Sequence, residues 1–252
     1  MINNCCVWGF IPHTITFFKI ERKCIFIMKK FIVLDIEGMS NCRPYNVGYI
    51  IGDKKGNIYK ENSAALPSCI FENLQNCFHA KEMTHKNIQE ILQDMENNNR
   101  KYKYNAIDEL FNELIKDITE NNIKEIWSYT LFDRAGLKHL FGEDKFMILE
   151  NLVCFYDIIP AILYSKLLTK KYIKFCKKND FLTAGGNIST KAEIVYRYLT
   201  GILNFQEEHT GLSDCKIEYY ILLQAMRTKK KLHKENVCAW RVLKKFCEMN
   251  NI

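Results

Sequence analysis

The chain has 252 residues, 48% of them hydrophobic and 13% aromatic, and its 36 Lys+Arg against 29 Asp+Glu give a formal charge of +7. That size suits one domain with appendages and a substantial core, while the positive charge is compatible with a polyanionic partner without establishing one. The eleven cysteines are odd in number, scattered and without a CxxC pair, which excludes a zinc knuckle or thioredoxin motif and points to reduced thiols in a cytoplasmic protein.

Residues 1–27 are apolar and aromatic but interrupted by Lys19, Glu21, Arg22 and Lys23. They lack the basic start, continuous apolar centre and small-residue cleavage site of a signal peptide, and are too short and broken to span a membrane. Met28 precedes KKFIVLDIE like a natural start. The segment is therefore expected to be an extension outside the fold, the rival being an extra strand or interfacial anchor. Residues 28–252 are expected to form the functional domain.

Lys30 to Glu37 has the pattern of a buried strand ending in carboxylates, and Tyr45 to Ile51 (YNVGYII) that of a second strand. GDKKGN at 52–57 supplies the turn residues before a third strand that begins at Ile58-Tyr59. Helical periodicity follows at 86–95, behind Thr84 as a cap, and at 105–119. Glu125 to Tyr129 is a short strand, with a helix starting near Asp133. Further helices are expected at 157–168, 190–199, 212–226 and about 236–249. An antiparallel meander followed by helix-linked strands predicts an α/β domain with a mixed sheet flanked by helices.

Three motifs carry the chemistry. Asp35 and Glu37 sit at i and i+2 of a strand, so both carboxylates point to one face, where they could hold a hard cation. A strand ending at its solvated edge often produces the same pair. Asp133 follows the strand IWSY, where an acid at a helix start equally serves the free amides there. His209 and Asp214 straddle the start of the helix after Gly211, which leaves the imidazole on a loop approach and Asp214 in the first turn. Each has an ordinary structural explanation by itself. Their order along the chain is the discriminating feature.

That order, D-x-E, then Asp after a strand, then H-x4-D opening an apolar helix, resembles the histidine-containing (DEDDh, proofreading-type) branch of the DEDD 3′-to-5′ exonuclease family over roughly Lys29 to Thr228. The resemblance implies a ribonuclease H-like fold with a mixed five-stranded sheet, an antiparallel meander and then parallel strands. It implies that Asp35, Glu37, Asp133 and Asp214 bind two divalent ions, Mg²⁺ or Mn²⁺, and that His209 is the general base. Two metals about 3.5–4 Å apart stabilise the attacking and leaving oxygens of phosphodiester hydrolysis, and an imidazole titrating near neutrality can take a proton from water. The implied partners are single-stranded or frayed DNA or RNA 3′ ends, with a polymerase assembly as a further partner if the protein proofreads. A module that binds nucleic acid without cleaving it is the other reading.

Family members commonly carry a Thr just after the D-x-E, where this chain has Gly38-Met39-Ser40. Gly38 and Met39 are therefore candidates for the 3′-terminal nucleotide pocket, Met39 either as a wedge against the base or as a core side chain. Lys166, Lys170, Lys171, Lys174, Lys177 and Lys178 cluster with Tyr172 and Phe175. Lys174, Lys177 and Lys178 are the candidates for tracking phosphates while the aromatics stack on bases, against a buried helix stripe with solvated lysines. Arg227 and Lys229 to Lys231 form a second basic cluster of the same ambiguity.

Overall fold

The computed structural model describes residues 29–38, 44–65, 103–104, 107–165, 167–228, 232 and 234. The expected extension 1–27, the helices expected at 86–95 and 236–249, Met39 and Lys166 lie outside the described residues.

The sheet is built on β1 (Lys30–Gly38), β2 (Pro44–Asp53) and β3 (Ile58–Ala65), an antiparallel meander, and on β5 (Glu125–Ser128) and β6 (Cys154–Asp157), which run parallel to β1 on its other side. The two-residue β4 (Lys103–Tyr104) pairs parallel with β3, so the order is β4-β3-β2-β1-β5-β6. This is the expected mixed sheet, an antiparallel meander and then parallel strands, its five principal strands extended at the meander edge by β4. The β2–β3 turn closes where Asp53 accepts hydrogen bonds from Lys55 N (2.7 Å), Asn57 Nδ2 (2.8 Å) and the Tyr59 hydroxyl (2.7 Å), with Gly56 in a left-handed conformation (φ 96°).

Both faces of β1 are buried, which is why its sequence is a nearly continuous apolar run. Side chains alternate across a strand, so Ile32, Leu34 and Ile36 enter one core and Phe31 and Val33 the other. The first core is closed by α1 (Ile107–Glu120) and α2 (Leu131–Leu152), the latter broken at Gly142 (φ 77°). The second is closed by α3 (Ile158–Tyr164), α4 (Lys170–Lys178), α5 (Ala192–Thr200) and α6 (Gly211–Thr228).

The helix expected over 157–168 is shorter, ending at Tyr164, and a separate helix, α4, follows from Lys170. Ser165 ends α3, its hydroxyl donating to Ile162 O and accepting from Leu167 N, and the Thr169 side chain caps α4. Tyr172 is fully buried, donates its hydroxyl to Ser189 O (2.6 Å) and stacks on Phe175, so this helix has the buried aromatic stripe and its lysines face out. No helix among the described residues is long and apolar enough to cross a membrane.

Candidate active site

Asp35 and Glu37 continue the row of Phe31 and Val33 toward the C-terminal end of β1, so the face that is core at one end of the strand becomes acidic at the other. Directly opposite them on β2 stand Gly48 and Asn46. A glycine at 48 leaves that patch of sheet without a side chain, and the first turn of α6 fills it backbone against backbone. A Cβ added to Gly211 would lie 2.5 Å from Gly48 N and 3.1 Å from Asp35 O. Asn46 Oδ1 accepts the Gly211 N–H at 2.6 Å, and the buried Cys215 thiol donates to Gly48 O at 3.1 Å. These contacts hold the start of α6 on the sheet, so Asp214 reaches the two β1 carboxylates.

Asp133 arrives from the other side of the sheet. Thr130 is the N-cap of α2, its side chain accepting from Phe132 N, and Asp133 is the reciprocal partner in a capping box. One Asp133 oxygen accepts the Thr130 N–H and the other accepts Ile36 N–H of β1, both at 3.3 Å. The helix-capping role is therefore realised, and the same bonds tie α2 to the acidic end of β1. The cluster lies at the carboxyl ends of the parallel pair β1 and β5, where open α/β sheets gather their sites.

His209 precedes α6 in the left-handed region (φ 55°), unusual for a residue with a side chain. Its Nδ1 is 4.0 Å from Glu37 Oε1, and Glu37, His209 and Asp214 offer ligand atoms all within 4.8 Å of one another. Asp35, Glu37, Asp133, His209 and Asp214, separated by long stretches of chain, thus line one cavity of ≈ 370 Å³. Gly38 lines it too, with Tyr129, Phe132, Ile159 and Lys191 among its other walls. Lys174, Lys177 and Lys178 are exposed on α4 and are not among the lining residues.

Three further acids line this cavity, Glu193, Glu207 and Glu218, which the motif order did not single out; Glu193 is paired with Arg197. Glu218 lies one helical turn after Asp214 and is 3% exposed. The available signal is a charged residue inside the apolar stripe that includes Cys215, Tyr219 and Leu222.

The carboxylates disfavour one another's ionisation. Burial, then Glu218, Asp133, Glu37 and Asp214, pushes Asp35 well above the ordinary carboxylate range. Burial and Asp214 do the same to Glu37. Burial raises Asp133 to about 7 despite the backbone N–H groups that pull it down, and burial with Asp214 and Glu193 raises Glu207 to about 8. Glu218 is driven well up by burial, Asp133 and Asp214.

Asp35 Oδ2, Glu207 Oε1 and Glu218 Oε2 are buried without a hydrogen-bond partner. Unpaired buried carboxylate oxygens are costly, and hard divalent cations take oxygen ligands of this kind. The donor set of acidic oxygens and one imidazole fits a hard divalent cation, which Asp35, Glu37, Asp133 and Asp214 could hold.

No family model matches the chain, and no curated protein matches its sequence. Among solved structures, E. coli exonuclease I in complex with a dA16 oligonucleotide is similar at TM-score 0.46 and 11% identity, over 86% of this chain and 42% of that one. Cell-death related nuclease 4 is similar at TM-score 0.41 and 12% identity, over 85% of this chain and 70% of that one. The chain thus spans less than half the length of exonuclease I. At these scores neither similarity carries a function.

Proposed function

We propose that the protein is a metal-dependent 3′-to-5′ exonuclease that hydrolyses phosphodiester bonds at single-stranded or frayed DNA or RNA ends, releasing nucleoside monophosphates. The observation that supports this is the gathering of Asp35, Glu37, Asp133, His209 and Asp214, from β1, α2 and the start of α6, around one cavity with unpaired buried carboxylate oxygens.

Asp35, Glu37, Asp133 and Asp214 would hold two divalent ions. When bound, such ions offset the charge that develops on phosphate and polarise the attacking and leaving oxygens. His209 is the general base: its imidazole stands at the cavity wall beside Glu37 on a loop approach, where it can reach a water on the scissile phosphate. Gly38, which lines the cavity, would border the terminal nucleotide, and Lys174, Lys177 and Lys178 would draw the strand toward the protein from outside the cavity. A cavity of ≈ 370 Å³ is of the size that takes a small-molecule-like group such as one nucleotide, which favours attack at a chain end.

The test is incubation of 5′-labelled single-stranded DNA and RNA with the full chain and Mn²⁺ or Mg²⁺. A ladder shortening from the 3′ end, abolished by EDTA and by Asp35→Ala or Asp214→Ala in folded protein, is expected. Internal cuts refute exonucleolytic action. Binding without degradation selects the non-catalytic module, and undiminished activity in either variant removes the metal-site assignment.

A further inference from the structure

The carboxylates of the cavity are not equivalent as ligands. Both oxygens of Asp133 accept backbone N–H groups, from Ile36 and Thr130. Asp35 Oδ2 and Glu218 Oε2, by contrast, are buried with no hydrogen-bond partner. Glu218 is more than nine-tenths buried, it lines the same cavity, and it is carried by α6 on the face that presents Asp214. Asp35 and Glu218 are also close electrostatic neighbours, since Glu218 is the first charged group after burial itself to raise Asp35. A buried carboxylate inside an apolar stripe is costly unless a proton or a counter-charge neutralises it. Glu37, His209 and Asp214 already form one compact ligand group.

We propose that Glu218 is a cation-holding residue of this site, supplying with Asp35 the free oxygens for a second divalent ion beside the one served by Glu37 and Asp214. Asp133 keeps its place in the acid set, and its backbone bonds also fix the acidic end of β1 against α2. The inference rests on the metal-dependent reading of the cavity and extends it by a residue outside the four-acid motif.

The experiment is a Mn²⁺ titration of the metal-free full chain by calorimetry, which reads binding without turnover. Glu218→Gln keeps the shape and hydrogen-bonding capacity of a protonated glutamic acid, so it leaves Mn²⁺ binding intact if the side chain is only a neutral buried acid. If Glu218 holds a cation, the substitution weakens the affinity of one Mn²⁺ by about tenfold or more. Glu143→Gln, at an exposed ion pair with Lys138, serves as the control and keeps wild-type binding. Should Glu218→Gln fail to fold, Glu218→Met supplies a neutral side chain suited to an apolar surrounding, with the same expectation. Wild-type binding with undiminished affinity in the folded variant overturns the Glu218 assignment alone. Absence of Mn²⁺ binding in the wild type overturns it together with the exonuclease reading.

Discussion

Gly211→Ala sets two opposing effects against each other at the joint between α6 and the sheet. Helix propensity favours alanine over glycine by about 0.8–1.0 kcal/mol in a helix interior, and by less in a first turn. Sterically, the new Cβ would lie 2.5 Å from Gly48 N, 3.0 Å from Asn46 Oδ1 and 3.1 Å from Asp35 O, where ordinary van der Waals contact begins at 3.4 Å. The nearest obstacle is backbone in the middle of the sheet, so it cannot rotate away, and α6 has to lift by roughly 1 Å at a cost of about 1–3 kcal/mol. The steric cost wins, with a net loss of about 1–2 kcal/mol and a fall in Tm of roughly 2–4 °C per kcal/mol. The same lift carries Asp214 and Glu218 away from Asp35 and Glu37, and a misplacement of that size costs on the order of 10²-fold in rate. Differential scanning fluorimetry and the labelled-oligonucleotide assay, run at a temperature where both proteins are folded, measure the two effects. Gly185→Ala, whose Cβ would meet Asn187 Nδ2 at 3.4 Å and Thr183 Oγ1 at 3.9 Å, both ordinary contacts with side chains, is the control. A Gly211→Ala protein with unchanged or higher Tm and full activity would mean that α6 does not rest on β2 at this spacing.

The buried acids also predict a pH dependence of the metal-free fold. Asp133 and Glu207 are raised in the folded state to about 7 and about 8. The folded protein therefore binds more protons than the unfolded chain from about pH 4 upward, and stability falls as pH rises through that window. Asp133 alone accounts for a loss of at most about 4 kcal/mol. Tm in EDTA is expected to be lower at pH 8 than at pH 5, with Mn²⁺ restoring it, and a flat or rising profile in EDTA contradicts the placement of these acids. For the outer surface, a combined Lys174→Ala, Lys177→Ala and Lys178→Ala variant should reduce the slope of log affinity for single-stranded oligonucleotide against log salt by about 2 if all three contact phosphate. An unchanged slope would remove α4 from the substrate path.

What the sequence disclosed follows the range of the forces involved. β1, β2 and α6 were legible because burial on both faces, or along one helical stripe, imposes a periodicity that a window of ten residues contains. The strand Cys154–Asp157 was not picked out, because four residues are too few to set an alternation apart from the helical patterns on either side. The end of α3 at Tyr164, short of the expected 168, turns on the Ser165 hydroxyl, whose small local bonds leave no periodicity to read. In the site, Asp35, Glu37, Asp133, His209 and Asp214 could be proposed from their order, but what brings them together could not. That depends on Gly48 facing Gly211 and on Asn46 accepting the Gly211 N–H, contacts between segments far apart in the chain. Glu218 shows the limit most sharply. In the sequence it is one polar residue inside a helix stripe, indistinguishable from a side chain that turns outward to solvent. Only the packing of α6 against the sheet gives it a surrounding of other acids, and that surrounding turns a minor irregularity of pattern into a candidate ligand.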